Sequence, residues 1–500
     1  MSVDNEGAAQ DLTSGAGEPS APGVTSVPGV TSVPGPSAGA RRLIAGVVAV
    51  IGFTIWTIHG VRQWQTLWTP SWDLGIFTQA VKAYAHLQPP VVPIKGPGYL
   101  LLGDHFSPLL VVLAPLYRVW SSAFALLVAQ AALLAWSAAV LTADAVRALG
   151  RVNGAVVGAA YLVSFGVIQA VAFQFHEVAL AVPLLALALV HARRRQWGAC
   201  VAWALPLVLV KEDLGLTVAA LGVVLWVMRA PRRYAVALGA GGIGAFVLVL
   251  WVLIPWANTR GWAYGGLLDV EALRSQPWRV VTWLVDAPEK RLTLALLLGA
   301  GGVVAVRSPL VLVAVPTLLW RFWSGHSSYW SFIFHYDLVL MPVMTAALID
   351  GVHRLRGIRA GSRWGRLAAG GSWLARLAPA VALVVAVGFL PQTALAAWAT
   401  PQFWAPSPRA EAAAQVLALI PDGVVVETDT GLLNYLVDRT TVTYVGVPGN
   451  PVPDVLLLDR AAGWGSDPGS AAAYAEGQHP GVHYVDIADV GGYRLAQRMP

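Results

Sequence analysis

Long apolar segments alternate along this chain with short polar segments, and the polar segments are of two kinds. One kind is rich in arginine, as at Arg41-Arg42, and the other carries carboxylates and imidazoles, as at His176-Glu177. An apolar segment of about 20 residues can cross a bilayer as a helix. Since the two kinds alternate, the pattern predicts many membrane crossings, with arginines on one face and acidic and imidazole groups on the other.

We predict about eleven spans from this alternation. Arginine in short loops marks the cytoplasmic face, so we predict a multi-pass protein with its N-terminus in the cytoplasm and its C-terminal part outside. The predicted spans are residues 43–59, 122–146, 152–173, 178–190, 197–210, 214–227, 234–255, 292–306, 310–322, 338–349 and 373–398.

The chain divides by composition into three predicted parts. Residues 1–42 are rich in Gly, Pro, Ser and Ala, which predicts a disordered cytoplasmic tail. Residues 43–398 form the predicted transmembrane domain, and its first external loop, residues 60–121, holds two amphipathic segments. Residues 399–500 alternate strand patterns with helical ones and predict an extracytoplasmic α/β domain. Its predicted strands are residues 424–427, 441–445, 455–458, 482–487 and 493–496, and its predicted helices are residues 410–419, 431–437 and 470–476.

Composition supports the membrane prediction and excludes two other classes. The chain is 56% hydrophobic and only 12% charged, whereas soluble proteins average about 25% charged residues. The formal net charge of +6 comes with arginines in short loops and not with a basic groove, so nucleic-acid binding is not expected. The single cysteine, Cys200, lies in an apolar segment and has no partner for an intramolecular disulfide.

Asp73 is the first candidate for chemistry, because it follows the first span and precedes an amphipathic segment. A carboxylate there suits a general base toward a hydroxyl. The competing interpretation is a helix N-cap, supplied by Ser71 or Asp73.

Asp104 and His105 are adjacent and precede a segment that begins at Pro108. They suit a divalent metal ion, with further ligands from elsewhere, or a phosphate-bearing lipid held through that ion. A polar turn with Asp104 as a helix cap is the alternative. No other cofactor is predicted.

Further candidates lie at the ends of later segments. Lys211 or Arg321 would bind a phosphate, whereas snorkelling of Lys211 and capping by Glu177 are the structural alternatives. The pair His335 and Asp337 follows an aromatic-rich loop suited to stacking on sugar or prenyl carbons. The chain has no GxxxxGK[ST], HExxH or GxSxG motif, which argues against direct ATP coupling, zinc proteolysis and serine hydrolysis.

Several motifs together resemble a known family. WDLGIFTQ, GDHFSP, QFHE, KED and FHYDLVLMP occur in this order and are similar to motifs of bacterial and archaeal membrane proteins called domain of unknown function 2079. That family is similar in layout to the GT-C glycosyltransferases, which have many spans, an acidic residue in the first external loop and a polyprenyl-phosphate sugar donor. The resemblance implies an all-α polytopic membrane fold with a small external α/β domain.

The resemblance also implies a function in the plasma membrane. It suggests an inverting glycosyltransferase that moves a sugar from a polyprenyl-phosphate donor in the lipid bilayer to a cell-envelope glycan or glycolipid outside. Asp73, Asp104 and His105 are then the catalytic candidates. The substrate-binding candidates are His176, Glu177, Lys211, Glu212, Asp213, Arg321, His335 and Tyr336. A transporter or flippase and a non-catalytic envelope-assembly protein are the alternative functions.

Overall fold

The structure is a computed structural model that describes residues 36–258, 270–357, 365–464 and 466–500. Residues from Pro36 to Pro500 form one compact unit. Most of the predicted disordered tail therefore lies outside the described residues. The first helix begins at Ala38, inside the predicted tail, and Ser37 caps it by accepting a hydrogen bond from the Ala40 N–H. The division of the chain into three domains stays a prediction.

Helices make up most of the described chain. The α-helices are α1 (Ala38–Gln65), α2 (Trp72–Ala85), α3 (Ala114–Val119), α4 (Ala123–Leu149), α5 (Arg151–Leu162), α6 (Phe165–Ala172), α7 (Ala181–Arg193), α8 (Trp197–Ala204), α9 (Leu214–Val227), α10 (Arg232–Leu248), α11 (Ile254–Ala257), α12 (Val270–Ser275), α13 (Arg279–Thr282), α14 (Pro288–Ala300), α15 (Val315–Trp323), α16 (Leu340–Arg356), α17 (Gly365–Phe389), α18 (Pro401–Trp404), α19 (Pro408–Ala418) and α20 (Ala471–Gln478).

Every predicted span is helical over much of its length, and the predicted span 152–173 is divided between α5 and α6, so the predicted mostly helical fold is confirmed. The number of membrane crossings stays a prediction. Among the described residues, six helical segments are long and apolar enough to cross a membrane: Ala38–Gln65, Ala123–Leu149, Arg151–Ala172, Arg232–Ala257, His335–Arg356 and Trp373–Gln392. Shorter apolar helices of 10–17 residues are Pro108–Val119, Trp197–Leu209, Leu214–Val227 and Pro309–Trp323. The first of these four lies within the predicted first external loop, residues 60–121, and the other three coincide with predicted spans.

Glycines allow α9 and α10 to pack with their backbones almost in contact. A Cβ added at Gly242 would lie 2.5 Å from both the Ala219 nitrogen and the Gly215 oxygen. On the facing helix, a Cβ at Gly222 would lie 2.5 Å from the Gly239 nitrogen. Small residues are the usual means of bringing membrane helices this close.

The predicted first external loop contains α2, and Ser71 is the N-cap of this helix. The Ser71 hydroxyl accepts the hydrogen bond of the Leu74 N–H at 3.2 Å. Of the two N-cap candidates, Ser71 and Asp73, the structure therefore selects Ser71. The Asp73 carboxylate, in the first turn of α2, can make other contacts. Beyond α2, the chain forms short 3₁₀ turns at Pro93–Lys95, Leu101–Gly103 and Pro108–Leu113.

The C-terminal residues form a mixed five-stranded sheet, as predicted. The strands are β1 (Val425–Thr428), β2 (Thr441–Tyr444), β3 (Val455–Asp459), β4 (Tyr484–Val490) and β5 (Tyr493–Arg498), in the order β2-β1-β3-β5-β4. β1 pairs in parallel with β2 and β3, and β5 pairs antiparallel with β3 and β4. Where a helix was predicted at residues 431–437, only a 3₁₀ turn, Leu433–Tyr435, is present.

The C-terminal part docks directly on α2 and the residues just before it. The Asn434 amide donates to the Thr69 and Ser71 carbonyls at 2.6 and 3.0 Å, and the Gln79 amide donates to the Val442 carbonyl at 2.8 Å. Gly75 on α2 faces this contact so closely that a Cβ there would collide with the Leu433 side chain. The sheet is thus fixed against the helix that carries Asp73.

The α9–α10 contact gives a testable prediction. Gly242→Ala should destabilise the protein by about 1–3 kcal/mol, because the added methyl forces two backbones apart. Gly241→Ala is the matched control on the same helix, where nothing lies within 4 Å of an added Cβ. It should stabilise by about 0.5–1 kcal/mol through helix propensity. Thermal unfolding of the detergent-solubilised protein measures both, and equal effects would contradict the close packing.

Candidate functional site

Asp73, His176 and His335 meet at the start of α2. The His176 Nε2 lies 3.2 Å from the Asp73 Oδ2. The rings of His176 and His335 are stacked, with centroids 3.6 Å apart and planes inclined by 26°. The two histidines are buried, whereas the Asp73 side chain is 42% exposed. Asp73 is therefore the accessible end of an otherwise buried polar array.

Backbone and amide groups hold His176 in this orientation. The backbone N–H of His176 donates to the Gln130 side-chain oxygen at 3.2 Å, and the ring Nδ1 lies 3.3 Å from the Gln174 carbonyl oxygen. A carbonyl and an ionised carboxylate only accept hydrogen bonds. Both ring nitrogens of His176 therefore face hydrogen-bond acceptors. Gln174 also accepts from the Ser71 N–H at 3.2 Å, which ties the start of α2 to the histidine segment.

The electrostatics keep Asp73 ionised. Burial alone would raise the pKa of this carboxyl, but the hydrogen bond and charge of His176 lower that pKa well below its usual range. Its position in the first turn of α2 also places it at the positive end of the helix dipole. Asp73 thus presents a stable negative charge to the open side of the site.

Two ion pairs continue the array beyond His176. The Lys211 Nζ lies 2.8 Å from the Glu177 Oε1, and the His105 Nδ1 lies 3.5 Å from the Glu212 Oε1. Burial would lower the pKa of His105, but its hydrogen bond and charge interaction with Glu212 raise that pKa above its ordinary value. Lys211 follows the end of the helical segment Trp197–Leu209, so the carboxylate and imidazole groups of different segments meet at one place.

Lys95 completes the array, although its sequence position gave no sign of it. It forms an ion pair with Asp104 and lies over the rings of Trp72, at 5.7 Å, and Tyr99, at 5.3 Å. Asp104 is completely buried, with a side-chain exposure of 0%. Asp104 therefore contacts Lys95 rather than capping the next helix, and it is not accessible as a catalytic base.

These contacts close into a ring when neighbours along the chain are included. Asp73 contacts His176, Glu177 contacts Lys211, Glu212 contacts His105, Asp104 contacts Lys95, and Lys95 lies over Trp72 beside Asp73. We call these residues the charged ring: Trp72, Asp73, Lys95, Asp104, His105, His176, Glu177, Lys211 and Glu212.

Arg321 does not fit the phosphate-binding role that the sequence suggests. Arg321 and Asp337 are both 0% exposed and form a two-pronged ion pair, with distances of 2.6 and 3.3 Å. The guanidinium also donates to the carbonyls of Tyr329 and Ser331. Its donors are already used within the protein, so Arg321 is a structural residue rather than a phosphate ligand. Tyr336 packs between this pair and His335, with its ring centroid 4.3 Å from that of His335.

The expectation of a metal site at Asp104 and His105 does not fit this geometry. Within the part of the chain that the structure describes, no group of three His, Cys, Asp or Glu side chains is arranged to hold a metal ion. The Asp104 carboxylate is neutralised by Lys95, and His105 faces Glu212. We therefore assign no metal to this site.

Sequence comparison links the chain to one family. A sequence model of the family described as "Predicted membrane protein (DUF2079)" matches residues 63–492. This range contains the entire charged ring and four of the five strands of the C-terminal sheet, since β5 begins just after it. Among curated proteins, no sequence matches this chain.

Among solved structures, the chain is similar to ArnT from Cupriavidus metallidurans in its crystal structure bound to undecaprenyl phosphate. The two share 16% sequence identity with a TM-score of 0.54, and the similarity covers 92% of this chain and 98% of ArnT. The likeness therefore extends to the complete fold, and it confirms the GT-C-like architecture expected from the sequence.

Asp213 gives a prediction for pH dependence. Burial raises the pKa of Asp213 to about 6, with Glu212 and Glu177 adding to the rise against the charge of Lys211. A raised folded-state pKa contributes stability below the unfolded pKa, near 4, and that contribution is lost as the pH rises through 6. The loss is at most about 3 kcal/mol. Asp213→Asn should remove this part of the pH dependence, measured by thermal unfolding between pH 4 and 8. A variant whose curve runs parallel to the parent's would show that Asp213 titrates normally.

The Arg321–Asp337 pair gives a second prediction. Arg321→Met should destabilise the protein by about 3–5 kcal/mol, because Asp337 is left buried without its counter-charge. The double variant Arg321→Met, Asp337→Leu should recover much of that loss, since no unpaired charge remains. Denaturation of both variants in the same detergent measures the difference. A double variant no more stable than the single one would argue against the ion pair as the source of the loss.

Proposed function

Since the chain belongs to the DUF2079 family of predicted membrane proteins, and its fold is that of a GT-C-like membrane protein, we propose that it is a glycosyltransferase. It takes a sugar from a polyprenyl-phosphate donor and transfers it to a cell-envelope glycan or glycolipid on the extracytoplasmic face. The observation that carries this proposal is the half-exposed Asp73 carboxylate, anchored to His176 at the open side of a buried charged ring.

The proposed reaction is a single displacement. The acceptor hydroxyl donates its hydrogen bond to Asp73, and its oxygen attacks the anomeric carbon of the donor sugar. The bond between that carbon and the phosphate oxygen breaks, and its electron pair leaves with the polyprenyl phosphate. The proton of the hydroxyl passes to Asp73, and the configuration at the anomeric carbon is inverted.

The low pKa of Asp73 is compatible with this role. The carboxylate is ionised at any physiological pH, so it is always ready to accept a proton. The acceptor hydroxyl becomes acidic only as its oxygen bonds to the electron-poor anomeric carbon, and a weak base is sufficient at that point. His176 is then a positioning residue, because it holds the carboxylate and contacts no reacting atom itself.

Lys95 is a better candidate than Lys211 for the leaving phosphate. The charge of Lys211 is balanced by three neighbouring carboxylates, Glu177, Glu212 and Asp213. Lys95 has one carboxylate partner, Asp104, and it lies between the Trp72 and Tyr99 rings beside Asp73. A phosphate is a better match for the cation with fewer competing anions.

The acceptor has a candidate path between α2 and the sheet. A cavity of about 350 Å³ there is lined by polar groups that include Gln79, Lys82, His86, Thr440 and Thr441. This cavity lies at the contact of the external loop with the C-terminal part. We propose that the C-terminal part positions the acceptor along this contact.

Asp73→Asn tests the proposal in a strain that lacks the native gene. The variant keeps the size of the side chain and loses the base, so transfer should fall by roughly 10²–10⁴-fold. Mass spectrometry of envelope glycans and of polyprenyl-phosphate sugars should show loss of one glycan modification and accumulation of its lipid-linked donor. Asp422→Asn is the matched control, since the Asp422 carboxylate is 79% exposed and lies far from Asp73 in the sequence.

Unchanged glycans with a correctly inserted Asp73→Asn protein would refute the catalytic assignment. A lipid-linked sugar that changes membrane face in vesicles containing the protein, with no transfer to an acceptor, would instead identify a flippase.

A further inference from the structure

A second cavity lies far from the charged ring, at the opposite ends of the helices. Its volume is about 590 Å³, and four arginines from four different segments line it: Arg195, Arg229, Arg307 and Arg354. Arg195 follows α7, Arg229 follows α9, Arg307 ends a 3₁₀ turn after α14, and Arg354 is in the last turn of α16. These are the segment ends that the arginine pattern assigned to one membrane face.

Three of these arginines have no ion pair among the residues that the structure describes. Neighbouring arginines are neutralised, since Asp144 binds Arg193 and Arg194, and Asp350 binds Arg354. No carboxylate of the described residues forms an ion pair with Arg195, Arg229 or Arg307. The cavity thus concentrates the positive charges of Arg195, Arg229 and Arg307, with which no carboxylate in the described ranges forms an ion pair.

The backbone at two of the arginines is unfavourable for any residue with a side chain. Arg195 and Arg229 both have φ of +58°, in the left-handed region where a helix usually places glycine. Both residues line the cavity.

Apolar side chains beside the arginines indicate what kind of anion fits. Val227, Val306 and Leu312 line the same cavity and are 53%, 61% and 37% exposed. A free phosphate would leave these surfaces bare, whereas a lipid would cover them with its acyl chains. Arginine binds phosphate oxygens with two parallel hydrogen bonds.

We propose that this arginine cavity binds the phosphate group of one anionic phospholipid, with the acyl chains on the apolar side chains beside it. This site differs from the proposed donor site, because its residues belong to the other ends of the bundle and none of them is in the charged ring.

The test uses the full chain purified in detergent, with phosphatidylglycerol or phosphatidylcholine added, and native mass spectrometry of the retained lipid. The parent protein should retain one phosphatidylglycerol at least 10-fold more strongly than phosphatidylcholine. The double variant Arg229→Gln, Arg307→Gln should lose this preference. Arg151→Gln is the matched control, because Arg151 begins α5, is exposed and lies outside the cavity.

Three results would overturn the proposal. The control could lose the preference as fully as the double variant, which would mean general attraction to basic loops. The double variant could keep the preference, which would remove the cavity from consideration. Inorganic phosphate or glycerol phosphate could compete as well as phosphatidylglycerol at equal concentration, which would assign the site to a free phosphate. Circular dichroism of the double variant checks that its helices are intact.

Discussion

A charged group withdrawn from water needs an opposite charge or several hydrogen bonds, since leaving it alone costs several kcal/mol. This requirement organises the protein around the acidic end of its bundle. Glu177 is neutralised by Lys211, Asp104 by Lys95 and Asp337 by Arg321. The Glu177–Lys211 pair joins the segments on either side of α7 and α8, and the Arg321–Asp337 pair joins α15 to the segment before α16. The Lys95–Asp104 pair closes a turn within the loop after α2. The pairs therefore also fix how the helices and this loop fit together.

Asp73 differs from these carboxylates in being accessible. Its partner His176 is buried and held by Gln130 and Gln174, so the carboxylate is oriented from behind while its other side stays open. Reactive groups need this combination of fixed position and access. Asp104 and Asp337 are fixed in position but buried, and each carboxylate is already paired, with Lys95 and Arg321 respectively.

The sequence was a good guide to the elements and a partial guide to the site. Apolar runs and strand alternation depend on local composition, and the helices of the predicted spans and all five strands were found from them. The gathering of Asp73, His105, His176, Lys211 and His335 also followed, because each ends an apolar segment. The ion pairs between these side chains could not be predicted from the sequence, since they depend on distances in the folded chain. Lys95 lies in a Pro/Gly-rich turn that resembles any loop, and Arg321 resembled a phosphate ligand until Asp337 was seen beside it.

The missing side chain of Gly75 has a consequence for how proteins of this kind can diversify. Leu433 occupies the space where any larger residue would project, and the Asn434 amide binds the backbone just before α2. The C-terminal part is therefore not an interchangeable module. A graft from a relative would need to bring its own version of α2, so the C-terminal part and the helix that carries Asp73 must evolve as one inherited unit.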